Sequence, residues 1–378
     1  MTKENIAIIG AGPGGLTLAR ILQQAGYKPT IFEGDPSATY RNQGGTLDLS
    51  TEMGQKALKR AGLMDKFKQL CRYEGQAIKI MDKSGNIYVE ETATEFDRPE
   101  IDRATLQNML LESVNSDSIY WGYKLEYINE LENNQFELKF KNEESVIVDM
   151  VIGADGAFSK VRPLVSDAVP EYSGLSMIEV NTLNVKEKHK DLLELNGPGS
   201  FFGLGDQKGI LAQVNGNNTI RTYVSFKIEK DWLHNNGINY ENREETKNKL
   251  IDEFSDWNPE LHKFISYGDG EIFPRRIYEL PIGHKWNHKK GVTLIGDSAH
   301  LMSPFSGSGA NLALLDASEL ALKIIENNNL DEEVIQYEEK MFKYAKDTAE
   351  QTKQILDLCF NDKAAKNFSN MFSNFKNG

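Results

Sequence analysis

The sequence predicts an α/β fold in which a parallel-sheet domain is interrupted by an inserted antiparallel sheet and followed by a C-terminal helix. Three observations carry that prediction. Short apolar runs at 6–9 and 291–296 each enter a glycine-rich turn and then a helical pattern, as buried parallel strands do when they feed crossover helices. Between them, from about 172 to 280, the pattern changes to short alternating segments. Near the end, apolar or aromatic residues at 334, 337, 341, 344, 345, 355 and 358 share one helical stripe.

Taken in order, the first strand is 6–9, the helix 13–25 and the second strand 29–33, which together form a βαβ unit. A loop of small residues at 37–45 precedes a helical stretch at 55–70. Segments 77–81 and 87–89 flank Lys83-Ser84-Gly85-Asn86 as a hairpin. A helical face at 105–114 leads to strand-like runs at 119–128, 135–140 and 145–152. In the insertion, 177–183, 210–214 and 220–228 read as strands, and 241–254 and 259–265 as helices. The strand 291–296 and the apolar helix 310–325 return the chain to its first domain. The expected division is 1–171, an insertion at 172–280, a return at 281–327 and a helical tail at 328–378.

Of the 378 residues, 39% are hydrophobic and 26% charged, as in an ordinary folded chain. The formal net charge of -13 repels phosphate backbones and anionic lipid, so neither nucleic acid nor a membrane surface is expected as a partner. A phosphate bound here must be held by local backbone amides and a few chosen arginines. Cys71 and Cys359 stand far apart, and the six histidines show no ligand spacing. A disulfide framework and a metal are therefore not expected, and the cysteine usage fits a reducing compartment. No run has the length of a signal-peptide core or a membrane span. A cytoplasmic monomer acting on a small molecule is the expectation.

The first motif is Gly10-Ala11-Gly12-Pro13-Gly14-Gly15, a G-x-G-x-x-G run between strand and helix. Gly10 permits the tight turn, Gly12 lets backbone approach a pyrophosphate, and Gly15 allows close helix packing. The helix N-terminus beginning at Pro13 then aims free N–H groups at the anion. Glu33, at the end of the second strand, is placed to accept from an adenosine ribose and would repel a 2′-phosphate. These features predict a Rossmann-like domain binding FAD or NAD, not NADP, in this pocket.

A second motif, Gly153-Ala154-Asp155-Gly156-Ala157-Phe158-Ser159-Lys160-Val161-Arg162, follows the apolar strand of 146–152. The third is Gly296-Asp297-Ser298-Ala299-His300, followed by Pro304, Gly307, Gly309, Ala310, Asn311 and Asp316-Ala317. In this order the three motifs resemble the class A flavoprotein monooxygenases of the para-hydroxybenzoate hydroxylase type. The resemblance implies an FAD-binding domain with an inserted substrate-binding domain, the hairpin at 76–91 lying towards the substrate. It places Asp155 near both FAD and the nicotinamide donor, Asp297 on the ribityl chain, and the segment from Pro304 to Asn311 beside the flavin ring.

Further segments are similar to the Tet(X) tetracycline-inactivating monooxygenases. They include Gly44-Gly45-Thr46-Leu47-Asp48-Leu49, Pro99-Glu100-Ile101-Asp102-Arg103, Glu253-Phe254-Ser255-Asp256-Trp257, Ala299-His300-Leu301-Met302-Ser303-Pro304-Phe305 and Gln336-Tyr337-Glu338-Glu339-Lys340-Met341-Phe342. By position this implies that Asp48, Arg103 and Asp297 contact FAD and that Arg41 meets NADPH. Pro304 and Phe305 would lie beside the substrate, with Glu179 and Arg221 near the family's substrate-holding positions. The implied reaction uses NADPH and O₂ to hydroxylate a flat molecule such as tetracycline, through a hydroperoxide at flavin C4a. Two positions depart from the pattern: Gly34 follows Glu33 where an Arg would grip adenosine, and Ser308 replaces a Gln. Phe201, Phe202 and Tyr223 suit either a pocket lining or sheet core, and His300 suits local packing more than acid–base work. A reductase of the same fold and a non-catalytic flavin-binding regulator are the competing readings.

Overall fold

The apolar run Ile6–Ile9 is fully buried and forms the centre of a five-stranded parallel sheet. Its order is Val292–Leu294, Met150–Gly153, Ile6–Ile9, Thr30–Glu33 and Ile119–Trp121. This is a computed structural model, which describes residues 5–40, 44–92, 98–326 and 329–377. The chain divides into two units. The first is Met1–Cys71, Arg103–Glu171 and Tyr278–Thr352; the second is Arg72–Asp102, Tyr172–Ile277 and Lys353–Gly378.

In the first unit, the helix Pro13–Gln24 starts with a proline in its first turn, where the missing N–H costs nothing. It packs on the helix Gly309–Glu326 so closely that a Cβ at Gly14 would stand 3.1 Å from the Ala313 carbonyl oxygen. A small antiparallel sheet, Leu125–Glu130, Phe136–Phe140 and Ser145–Val148, also belongs to this unit; the runs expected at 119–128 and 145–152 each divide, giving Ile119–Trp121 and Met150–Gly153 to the parallel sheet and the other strand of each to this one. The single helix expected at 55–70 is instead two, Lys56–Arg60 and Met64–Leu70. The cause is Gly62, whose φ of +70° ends the first helix. The Leu63 and Gly62 N–H groups donate to the carbonyls of Leu58 and Lys59, a Schellman closure.

The second unit is a seven-stranded sheet, in the order Ile272–Glu279, Glu171–Leu183, Thr219–Lys227, Lys208–Asn215, Ser200–Gly205, Ile78–Asp82 and Ile87–Glu91. The hairpin strands Ile78–Asp82 and Ile87–Glu91 pair antiparallel as read from sequence. Ser200–Gly205, which the alternation did not reveal, pairs parallel to Ile78–Asp82 and draws the hairpin into this sheet. Alternation then sorts the two faces. Ile178, Val180, Phe201, Ile210 and Val224 join a core with Leu250, Phe254 and Phe264. Phe201 stacks on Phe264 at 4.6 Å, so it belongs to that core. The opposite face carries Glu179, Phe202, Leu211, Arg221 and Tyr223, with Glu179 opposite Tyr223 and Phe202 opposite Leu211.

The tail is two helices, Leu330–Cys359 and Ala364–Asn377, rather than one. Asn361 explains the break, because its amide donates to the carbonyls of Asp357 and Leu358 while its oxygen accepts from the Lys363 N–H. The last helix packs on Ser200–Gly205, with the Phe368 ring 5.1 Å from Phe202. Among the described residues no helix is long and apolar enough to cross a membrane.

Candidate functional site

The three sequence motifs leave three adjacent parallel strands at the same end. Ile9, Gly153 and Leu294 are in register, and each is followed by its motif. In open α/β sheets the crevice beyond the carboxyl ends of the strands is where ligands bind.

At the first motif the backbone passes where no side chain fits. A Cβ at Gly10 would lie 2.4 Å from the Ala154 carbonyl oxygen, and one at Gly15 only 2.1 Å from the Gly10 oxygen. Gly12 differs, because a Cβ there would meet nothing within 4 Å. Its open side is room for a ligand rather than for protein. The loop is clamped on both flanks. The Ala11 N–H donates to Glu33 Oε2 at 2.8 Å, and Gln107 Nε2 donates to the Ala11 carbonyl at 2.6 Å. Glu33 Oε1 also accepts from the Asp35 N–H. Gln107 was missed in the sequence, where it reads as one polar residue inside an apolar helical stripe. It is buried, and its Oε1 has no hydrogen-bond partner in the structure.

At the second motif, Asp155 Oδ2 accepts from the Lys160 and Val161 N–H groups, while its Oδ1 is enclosed and unpartnered. Burial raises its carboxyl above the ordinary aspartate range, against the hydrogen bonds from Ser159 and the backbone. Arg162 sits buried between motifs and donates to the carbonyls of Ser298 and Ala157. The Ser298 hydroxyl in turn donates to the Gly153 carbonyl at 2.6 Å. The second and third motifs are thus tied into one body, a role the sequence did not assign to Arg162.

The third motif turns at Gly296, φ +62°. Asp297 follows with its surface exposed, yet protein atoms surround it closely enough that desolvation, aided by Asp316, raises its carboxyl against the opposing pull of His300, Arg103 and Arg162. Its Oδ1 is 3.8 Å from the Cβ position of Gly309, and Asp48 Oδ1 is 2.8 Å from that of Gly307. Two carboxylates therefore flank the start of the helix Gly309–Glu326, where Ala310 lies. Asn311 is committed to protein: its oxygen accepts from the Ser50 and Gly54 N–H groups, and its amide donates to the Asp48 and Gly307 carbonyls. Ser308 turns its hydroxyl to the Ser306 carbonyl, and Thr352 donates to the Ser306 hydroxyl at 2.6 Å. Pro304 is exposed and Phe305 half-buried on this loop. Arg103 is exposed, its backbone N–H on the Gly45 carbonyl. Arg41 lies outside the described residues.

The open side of Gly12, the unpartnered oxygens of Gln107 and Asp155, and the accessible Asp297 fit a dinucleotide carrying a pyrophosphate and a polyol. A model of an FAD-binding domain matches residues 3–352. The chain belongs to that FAD-binding family. Its fold is that of the class A flavin monooxygenases, its cofactor is FAD, and it is an FAD-dependent monooxygenase. Among curated relatives, the monooxygenase asqM of Emericella nidulans is 29% identical over 96% of this chain and 97% of its own. The monooxygenase penA of Penicillium thymicola is also 29% identical, over 98% of each. Among solved structures, HpxO of Klebsiella pneumoniae complexed with FAD and uric acid superposes with a TM-score of 0.80 at 19% identity, covering 99% of this chain and 93% of that one. The tetracycline destructase Tet(51) gives 0.72 at 23% identity, covering 97% and 95%.

The residues expected to hold substrate fall in both units. Pro304 and Phe305 belong to the first; Glu179, Phe202 and Arg221 belong to the second. Glu179 is buried and saturated. Arg221 forms an ion pair with its Oε1 at 2.9 Å, Asn181 donates to the same oxygen at 3.2 Å, and Arg275 donates to its Oε2 at 2.9 Å. Both oxygens of this carboxylate are thus occupied by protein groups, two of them guanidiniums.

Proposed function

We propose that this monooxygenase uses NADPH and O₂ to hydroxylate a flat aromatic or polycyclic enol, with tetracycline as the first compound to try. The observation that supports this reading most is the set of three motif loops at adjacent strand ends, with room at Gly12 for pyrophosphate and Asp48 and Asp297 beside the Gly309 helix start. Bound FAD supplies the redox chemistry, activating O₂ once reduced. The chain's own residues bind, orient and exclude water. In this reading Gly10, Gly12, Pro13, Gly14 and Gly15 admit the pyrophosphate and Glu33 accepts from the adenosine ribose. Asp48, Arg103, Asp155 and Asp297 hold the remainder, with the Asp48 segment braced by Asn311. The second unit serves as the substrate domain: Phe202 and Tyr223 offer apolar surface, and the Arg221–Glu179–Arg275 cluster carries one excess positive charge for an enolate. An enolic carbon is already nucleophilic, so no strong protein base is required.

The full-length match to asqM and penA favours a second reading, in which another aromatic or enolic metabolite takes the place of tetracycline. FAD-loaded protein mixed with NADPH and tetracycline under air separates the readings by mass spectrometry. A product about 16 mass units heavier, one oxygen atom, is expected. NADPH consumption without oxygenated product would point to the reductase, and none with any enolic or aromatic ligand to a non-catalytic flavoprotein.

A further inference from the structure

Behind the Gly296–Asp297 turn lies an ionic cluster to which neither cofactor nor substrate binding assigns a part. Asp316 is fully enclosed. One of its oxygens receives the Gly296 N–H at 2.7 Å and His300 Nε2 at 2.6 Å, and the other receives the Tyr344 hydroxyl. Three hydrogen-bonding groups thus converge on the Asp316 carboxyl. An enclosed carboxylate without a counter-charge is strongly unfavourable, so a cation must stand beside it. Of its three hydrogen-bond partners, only His300 can carry that charge. The ring is buried, and its Nδ1 has no hydrogen-bond partner in the structure. The imidazolium charge is therefore compensated at one edge only.

We propose that His300, held by Asp316, is a positioning residue of the flavin site: a standing cation at neutral pH that keeps Asp297 ionised and favours the reduced, negatively charged flavin. The inference rests on the reading that Asp297 faces the flavin. The charged groups around His300 support it. Burial opposes the imidazolium, but Asp316 from the helix Gly309–Glu326 and Asp297 from its own turn together raise its pKa above the usual 6.5. Tyr344 from the long tail helix acts through Asp316, and Arg103 and Arg162 act at Asp297. His284, at the Ala299 carbonyl, is pushed towards its neutral form by its own burial and so opposes little. Geometry adds to charge, because the carboxylate that binds His300 also fixes the Gly296 N–H, one residue before Asp297.

The test begins with FAD-loaded protein carrying ¹⁵N-labelled histidine. One imidazole is expected to be doubly protonated at pH 7 and to lose its proton at a higher pH than an ordinary histidine. In His300→Gln, bound flavin should lose at least about tenfold in relative affinity for the reduced form, a fall of about 30 mV in the two-electron midpoint potential. Tyr344→Phe keeps both charges, so it should lower thermal stability while leaving the potential in place. A neutral His300 at pH 7, or an unchanged potential in His300→Gln, overturns the inference. Should His300→Gln fail to fold, the labelled wild-type protein decides: doubly protonated supports the proposal, neutral refutes it. Unchanged FAD affinity in Asp297→Ala would instead remove the flavin-facing reading of Asp297, whatever the state of His300.

Discussion

Gly12 and Gly15 look equivalent in the motif, yet the surrounding atoms give them opposite duties. The backbone at Gly12 is φ -73°, ψ 176°, an extended conformation open to any residue, and the space beside it is free. Gly12→Val should therefore fold with near-normal thermal stability but purify without its yellow cofactor. Gly15→Ala should lose stability as well, because its Cβ would stand 2.1 Å from a backbone oxygen. Equal stability losses in the two variants would count against this division. Asp297 is a similar test of role. A hydrogen bond involving a charged group contributes roughly 1.5–3 kcal/mol, so Asp297→Ala should weaken FAD binding about 10- to 150-fold by fluorescence titration. Lower stability with unchanged affinity would make it only a turn residue.

At the scale of elements, the helix Gly309–Glu326 is held to its neighbours by charge as well as by packing. Glu319 meets Arg60 at 2.7 Å, Lys56 at 3.4 Å and Lys340 at 2.6 Å, joining it to the helices Lys56–Arg60 and Leu330–Cys359. Burial alone would raise the carboxyl, but the hydrogen bonds from Lys340 and Arg60 prevail and hold it at about 2, against the usual 4.5. The sign follows from linkage: the folded form holds the proton less tightly, so the pair stabilises the fold fully above pH 4.5. That contribution fades as pH falls through about 2. Urea midpoints of Glu319→Gln and wild type should accordingly differ above pH 5 and converge towards pH 2. A gap that does not close on acidification would mean that packing, not charge, accounts for the loss.

For the whole molecule, a net charge of -13 sets the problem of attracting anionic nucleotides. Gly10–Gly15 and Glu33 are given over to FAD in the proposed site, so the proposed donor, NADPH, needs its own cation. Arg41 is the proposed one, on a loop whose sequence is rich in small residues. A guanidinium can grip a phosphate bidentately and release it. Arg41→Ala should raise the KM for NADPH several-fold in stopped-flow flavin reduction while FAD content stays the same. An unchanged dependence on NADPH would leave Arg41 as a surface charge.

The parallel sheet, the first crossover helix and the three motifs were legible because each depends on local pattern. Buried parallel strands are apolar runs, and Gly10, Gly62 and Gly296 are needed wherever the backbone must turn against its Cβ. Of these, Gly62 shows where such reading fails, since the apolar period continues across 55–70 and hides the break. Local sequence did not reveal Ser200–Gly205, whose pairing with Ile78–Asp82 joins segments more than a hundred residues apart. The same holds at the site. Sequence marked Asp297, Asp155 and Gly12 by their motifs; Arg162 and Asp316 lay within the second and third motifs without an assigned partner, and Gln107 and Tyr344 carry no motif that separates them from core residues. Their roles come from partners distant in sequence: Ala11 for Gln107, Ser298 for Arg162, Gly296 and His300 for Asp316. Backbone geometry is written in neighbouring residues. The compensation of a buried charge is settled only when the chain has brought its partners together.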